Sequence, residues 1–277
     1  MRYNIASILK ALKIYSYFKF WKPLLILGLV IIFVVSILYY LRLSSSTQII
    51  IWAWERPENL LFIDDKNIKV AFYAGTITFS DSATFFKPRL QPLAINPDTP
   101  VIPVIRIINN ERDSPLNEDQ LLEAVDLIVE GCLQDETVGC QIDFDVKSSE
   151  IDFYKKLISE TRKNLSKSTP LSITTLVSWC HLGSWLEDLP ADEVVPMFYR
   201  LGPDKNLIRQ DLVGESFMGA KVCQHAIGVS IDEPLPQTEY LENRRIYIFN
   251  PEPWTSNDFL NIMKKIEVEI AKTSKNN

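Results

Sequence analysis

Metal-binding side chains are scarce in this chain. Two histidines (His181 and His225) and four cysteines (Cys132, Cys140, Cys180 and Cys223) are all it has among 277 residues. The histidines lack ligand spacing and no C-x-x-C pair accompanies them, which argues against the common zinc frameworks. Neither a metal nor a cofactor is expected. A glycine-rich phosphate loop is missing too: after the first apolar run the chain reads Trp54-Glu55-Arg56-Pro57, not G-x-G-x-x-G, so a dinucleotide-binding fold is not indicated. No low-complexity linker interrupts the sequence after Thr47.

Acidic residues are absent from the N-terminal segment, where Arg2, Lys10, Lys13, Lys19 and Lys22 stand alone. Behind them Leu24 to Leu41 is almost wholly apolar, long enough to cross ~30 Å of hydrocarbon. The one-sided charge predicts a basic cytoplasmic segment at 1–22, a transmembrane signal anchor at 23–43 and an exported domain at 44–277. A cleaved signal peptide is the competing reading. Its apolar core should run about 7–15 residues and end in small residues, whereas this one ends in Tyr39-Tyr40-Leu41-Arg42.

Setting aside those five cations and Arg42 leaves 23 basic against 35 acidic residues, so the domain carries a charge near −12. That balance argues against nucleic acid or an anionic membrane surface as partners of the domain and suits neutral or cationic ligands. In an oxidising compartment Cys132 and Cys140 would close a short loop. Cys180 and Cys223, placed at opposite ends of their strands, are expected to remain thiols.

Eight short apolar, β-branched runs follow: Gln48–Trp54, Ile68–Tyr73, Val101–Ile108, Gly139–Phe144, Leu171–Val177, Glu193–Tyr199, Ala226–Ile231 and Arg244–Phe249. Helical spacing predicts helices at Asn117–Cys132, Ser149–Leu165 (capped by Ser149) and Thr255–Lys272, with shorter ones at Pro57–Ile63, Gly183–Leu186 and Asn206–Phe217. Strands apolar on both faces and alternating with helices imply a covered parallel sheet. Eight of them in roughly 230 residues predict an α/β fold of the (β/α)8 TIM-type barrel class, with an open doubly wound sheet as the alternative.

Barrel active sites lie at the C-terminal strand ends. Those ends deliver Trp54, Glu55 and Arg56; Tyr73; Arg106; Gln141, Asp143 and Asp145; Trp179 and His181; Met197, Tyr199 and Arg200; Asp232 and Glu233; Glu252 and Trp254. Asp143 and Asp145 share one face of the fourth strand, two residues apart. Each of these residues has an ordinary explanation, such as an Arg106 ion pair or packing of the tryptophans at the rim. Together, carboxylates, arginines and tryptophans suit a carbohydrate, since aromatic faces stack on sugar C–H surfaces while charged groups take hydroxyls. Paired carboxylates also supply the chemistry of glycoside hydrolysis.

Gln141-Ile142-Asp143-Phe144-Asp145, the run Leu171 to Cys180, Val195-Pro196-Met197-Phe198-Tyr199-Arg200-Leu201-Gly202 and the Trp52-Ala53-Trp54 start resemble bacterial domain-of-unknown-function family 3142. The resemblance implies a glycoside-hydrolase-like barrel. More distantly, Asp143-x-Asp145 is similar to the D-x-D-x-E of family 18 chitinases, whose final glutamate acid falls at Lys147 here. A catalytic version would therefore take its acid from Glu233, Glu252 or Glu55.

The resulting expectation is a membrane-anchored, exported barrel that binds and, if active, hydrolyses a cell-envelope or extracellular glycan. Asp143, Asp145, Glu233 and Glu252 would be its catalytic set. Trp54, Glu55, Tyr73, Arg106, Gln141, Trp179, Tyr199, Arg200, Asp232 and Trp254 would bind substrate. The alternative is a catalytically inactive barrel serving as a glycan-binding or envelope-assembly module.

Overall fold

A computed structural model of the chain describes residues 47–81, 83–110, 116–133, 137–182, 184–202 and 220–273, together with Val30. The chain divides into two compact units, Met1–Ser46 and Thr47–Asn277. The expected span at 23–43 lies, but for Val30, outside the described residues, as does the helix expected at Asn206–Phe217. Among the described residues no helix is long and apolar enough to cross a membrane.

The second unit is a closed barrel of eight parallel strands. In chain order the elements are β1 (Gln48–Ala53), β2 (Glu58–Asn59), β3 (Lys69–Ser80), β4 (Ala83–Pro88), β5 (Leu93–Ala94), β6 (Val101–Asn109), α1 (Glu118–Cys132), β7 (Cys140–Phe144), α2 (Ile151–Asn164), β8 (Leu171–Leu176), α3 (Val177–Leu182), β9 (Glu193–Met197), β10 (Ala226–Ser230), β11 (Arg245–Phe249) and α4 (Ser256–Thr273). The barrel runs β1-β11-β10-β9-β8-β7-β6-β3 and closes where Ile50–Ala53 of β1 pair with Lys69–Phe72 of β3. All eight apolar runs read from the sequence are strands of this barrel.

The first two connections depart from the helical expectation. Pro57–Ile63 is not a helix; it holds β2, which pairs with β5 in a separate two-stranded sheet. After β3 the chain turns back as β4, antiparallel to β3. Only Lys69–Phe72 of the twelve-residue β3 meet β1, while β4 pairs with its upper half from Gly75 to Ser80. The ladder to β6 shifts register between Tyr73 and Gly75, a β-bulge. Glycine is needed there, because a Cβ would lie 2.5 Å from the Phe86 ring and 2.9 Å from the Lys87 carbonyl oxygen.

Elsewhere the helices form for legible reasons. Asn117 caps α1, accepting from the Gln120 N–H while Gln120 returns its side chain to the Asn117 N–H. The buried stripe of α1 is Leu121, Ala124, Val125, Ile128 and Cys132, and Leu122 is exposed. Ser149 does not cap α2: the chain enters through a short 3₁₀ turn, Ser148–Glu150, and Glu150 is the N-cap residue. Thr255 caps α4, and Leu260 is also exposed.

Two cores result. The larger lies between the strands and the outer layer and takes the outward residues Ile142, Phe144, Ile173 and Ile248 with the helix stripes. The smaller fills the barrel with Ile50, Trp52, Ala71, Ile102, Val104, Val195, Ala226 and Tyr247. Gly228 makes room for it, since a Cβ there would approach the Trp52 ring to 2.9 Å.

Two disulfides close the fold, Cys132–Cys140 and Cys180–Cys223. The second corrects the expectation of free thiols. Cys180 sits on α3, which turns off the end of β8, and the β9–β10 connection docks on it, the Ala220 N–H reaching the Cys180 carbonyl at 3.1 Å. Strand ends alone could not show that contact.

Candidate functional site

Strand alternation decides which side chains enter the barrel. On β7, where all five residues are buried, Gln141 and Asp143 point inward while Ile142 and Phe144 join the outer core. Gln141 is fully buried. Its side chain accepts from Trp52 Nε1 at 2.7 Å and donates to Ser172 Oγ at 3.0 Å, forming a polar floor across the barrel.

One layer higher a cavity of about 210 Å³ opens at the C-terminal end, lined by residues of six strands and the turns that follow them, Asp143, Asp145, Arg106, Trp54, Tyr199 and Arg200 among them. At ~30 Å³ per water this holds the equivalent of about seven. Parallel register sets Arg106 of β6 opposite Asp143, with Nε 3.9 Å from Oδ2, too long for a hydrogen bond. From the other flank Thr174 donates to Asp143 Oδ1 at 2.7 Å.

Burial therefore dominates the electrostatics of Asp143. Loss of water, and then the neighbouring charge of Asp145, push its carboxyl up to about 6 against the weaker pull of Thr174 and Arg106. Asp145 stands at the exposed rim, and partial dehydration raises it as well, opposed by Arg106. Both neighbouring carboxyls are thus raised, and Asp143 takes up a proton in mild acid. Tyr199 is driven far upward, first by burial and then by both carboxylates, and stays a neutral phenol.

The opposite wall is aromatic and cationic. Tyr199 stacks on Phe249 at 5.5 Å with the rings 9° apart, and the Arg200 guanidinium lies 5.3 Å over the Phe249 ring. Trp54 meets Phe249 edge-on at 6.1 Å, Tyr73 at 5.8 Å and the Arg106 guanidinium at 5.7 Å. The loop carrying Trp54 is fastened by Arg89, which donates to the carbonyls of Trp54 at 2.5 Å and Arg56 at 2.6 Å.

Of the residues expected to form the site, Asp143, Asp145, Trp54, Arg106, Tyr199 and Arg200 line this cavity. Gln141 lies beneath it. Tyr73 is buried beside it with its hydroxyl against Thr76 at 2.8 Å. Glu55 pairs with Lys87 outside it. Glu233 does not line it but accepts the Arg200 backbone N–H at 2.8 Å, and Asp232 accepts from the Ser230 hydroxyl. Glu252 is exposed in an Asn250 turn away from the lining. Trp179 packs edge-on against Trp185 in the outer layer. Trp254 is 5% exposed and bonds the Trp52 carbonyl, which leaves no face for a ligand. Lys147, at the position of the chitinase acid, pairs with Glu150 at 3.4 Å and also stays out of the lining.

Sequence reasoning passed over Trp52, Thr174 and Phe249 as site residues. Counting back by two from Trp54, then sideways from Trp52 to β11 and from Asp143 to β8, would have reached all three. Among the described residues no group of three His, Cys, Asp or Glu side chains could hold a metal. Compared with family models and with curated proteins, the sequence matches none.

Proposed function

We propose that the barrel mouth is a glycan-binding site on an exported domain anchored to the membrane by residues 23–43. One sugar ring would lie against Trp54, Tyr199 and Phe249, with Asp145 and Arg106 taking its hydroxyls. One observation carries the choice of binding over hydrolysis: among the described residues, the carboxylates lining the cavity, Asp143 and Asp145, both come from β7 and the turn that follows it. Side chains two apart on one strand point the same way and cannot flank a scissile bond, as the acid and nucleophile or base of a glycosidase must. Glu233 and Glu252, the expected partners, are outside the lining.

The full-length chain in detergent micelles, screened on a glycan array and followed by calorimetry, tests this reading. Binding without release of reducing ends is expected, and Trp54→Ala should weaken it at least tenfold. A wild-type affinity in Trp54→Ala, or no glycan bound at all, would sink the proposal.

A hydrolytic reading keeps one specific support. A carboxyl raised to about 6 beside a second carboxylate is the environment that makes a proton donor in mild acid. It predicts new reducing ends with a rate that falls as pH rises through about 6 and is abolished by Asp143→Asn.

A further inference from the structure

The two sides of the cavity differ in how their charges are spent. On the β6–β7 side Arg106 stands near both acids, opposing the upward shift of Asp143 and of Asp145, so its one positive charge is already set against two carboxylates. On the β9–β11 side Arg200 lines the same cavity with its guanidinium over Phe249. Arg200 does not figure among the charges that move either aspartate. Among the described residues its side chain makes no ion pair within 4.0 Å. Glu233 takes the backbone N–H of Arg200 through Oε1.

The backbone at this position is firmly held. Arg200 has φ +52°, a left-handed conformation that a residue with a Cβ adopts at a cost, and Gly202 follows at φ +58°. Such strain persists where the surroundings over-determine it, here the Glu233 bond and the Phe249 ring. The result is a planar five-donor fork over Phe249 at the exposed edge of the cavity. A guanidinium of this kind matches carboxylate, sulfate or phosphate bidentately, which an uncharged hydroxyl does not exploit.

We propose that Arg200 recognises an anionic substituent on the ligand, so that the mouth selects a sugar bearing a carboxylate, sulfate or phosphate over its neutral counterpart. This rests on the glycan-binding reading and narrows it. Asp143 and Asp145 face the same space and repel such a group, whereas Arg106 and Arg200 attract it, and Tyr199 is neutral. Because Asp143 takes up a proton near 6, the repulsion fades in mild acid and anion affinity should rise as pH falls from about 7.5 to about 5.5.

The test uses the full-length protein and gluco-oligosaccharides of one length in neutral, C6-oxidised, C6-sulfated and C6-phosphorylated forms, with inorganic sulfate and phosphate as separate probes. At least one charged form should bind ten or more times tighter than the neutral one. Arg200→Gln should abolish that difference, read as the ratio of charged to neutral affinity within the same variant, and Arg200→Lys should restore part of it. Circular-dichroism melting confirms that each variant is folded. Equal affinity for neutral and charged forms, unchanged in Arg200→Gln, would overturn the role of Arg200 and leave glycan binding standing. Arg200-dependent binding of inorganic anions with no oligosaccharide bound would retain the anion site and overturn the glycan. Silence across all probes would overturn both.

Discussion

The barrel buries an acid at each end, and the two are treated differently. At the N-terminal end Glu193 is 8% exposed, accepts the Tyr247 hydroxyl at 2.6 Å and pairs with Arg245. At the mouth Asp143 is 9% exposed, yet its cation is 3.9 Å away and its nearest acid is another carboxylate. Burial is equal, so burial does not separate structure from site. Partnership does: the acid with a cation in contact belongs to the scaffold, and the one whose cation stands off marks where a ligand could complete the bonding.

Removing each acid should sharpen that contrast. Glu193→Ala strands the Tyr247 hydroxyl inside the barrel and leaves Arg245 without its counter-ion. Breaking such a pair costs about 3 kcal/mol, to be read from denaturant unfolding, with ligand binding at the mouth unchanged in the folded protein. A loss under about 1 kcal/mol would put both ends of the barrel in the same class.

Asp143→Asn should move the other way. The folded carboxyl titrates near 6 and the unfolded one near 3.8, so between these values the folded state holds the extra proton. Stability therefore falls as pH rises from about 4 to 6 and stays low above that. The shift, which already includes the Arg106 attraction, sets a ceiling of about 3 kcal/mol at pH 8; the asparagine variant should gain roughly 1–2 kcal/mol, because its amide N–H2 must be accommodated where the neutral acid had an oxygen. The introduced amide would still accept the Thr174 hydroxyl through its carbonyl oxygen. The gain should vanish near pH 4, and a destabilised variant at pH 8 would mean that Asp143 is held as firmly as Glu193.

How far the sequence could be read follows the same division. All eight barrel strands were legible because apolar residues on both faces leave a strand no other place. The inward set on β7 was legible because alternation by two is strict. What lay beyond alternation was not. Glu252 and Trp254 follow β11 by a few residues and looked like mouth groups, but Asn250 folds the loop outward and Trp254 is drawn under the Trp52 carbonyl. Trp179 follows β8 in the same way, but the chain has already turned into α3. Pro57–Ile63 has helix-like composition, whereas pairing of Glu58–Asn59 with Leu93–Ala94 decides its form, and that contact is 35 residues away in sequence. Long-range docking fixes β2 and Trp254, while turns directly after β8 and β11 carry Trp179 and Glu252 away from the mouth.

The smallest expected effect probes the mouth at the level of the backbone. Arg200→Gly and Arg200→Ala both delete the guanidinium and its contact with Phe249, and both keep the N–H that Glu233 accepts. They differ in what φ +52° costs: alanine retains the clash of its Cβ, and glycine has none. In the unfolded chain glycine gives back part of that advantage through its larger freedom. The glycine variant should therefore be more stable than the alanine variant by about 1 kcal/mol or slightly less, seen as a higher midpoint in urea with an unchanged slope. Equal midpoints would mean that the loop relaxes once the side chain is gone, so that the guanidinium itself, through Phe249, imposes the left-handed turn. A clear advantage for glycine would mean that Glu233 and the flanking strands impose it, which makes Arg200 a residue placed in advance for its ligand.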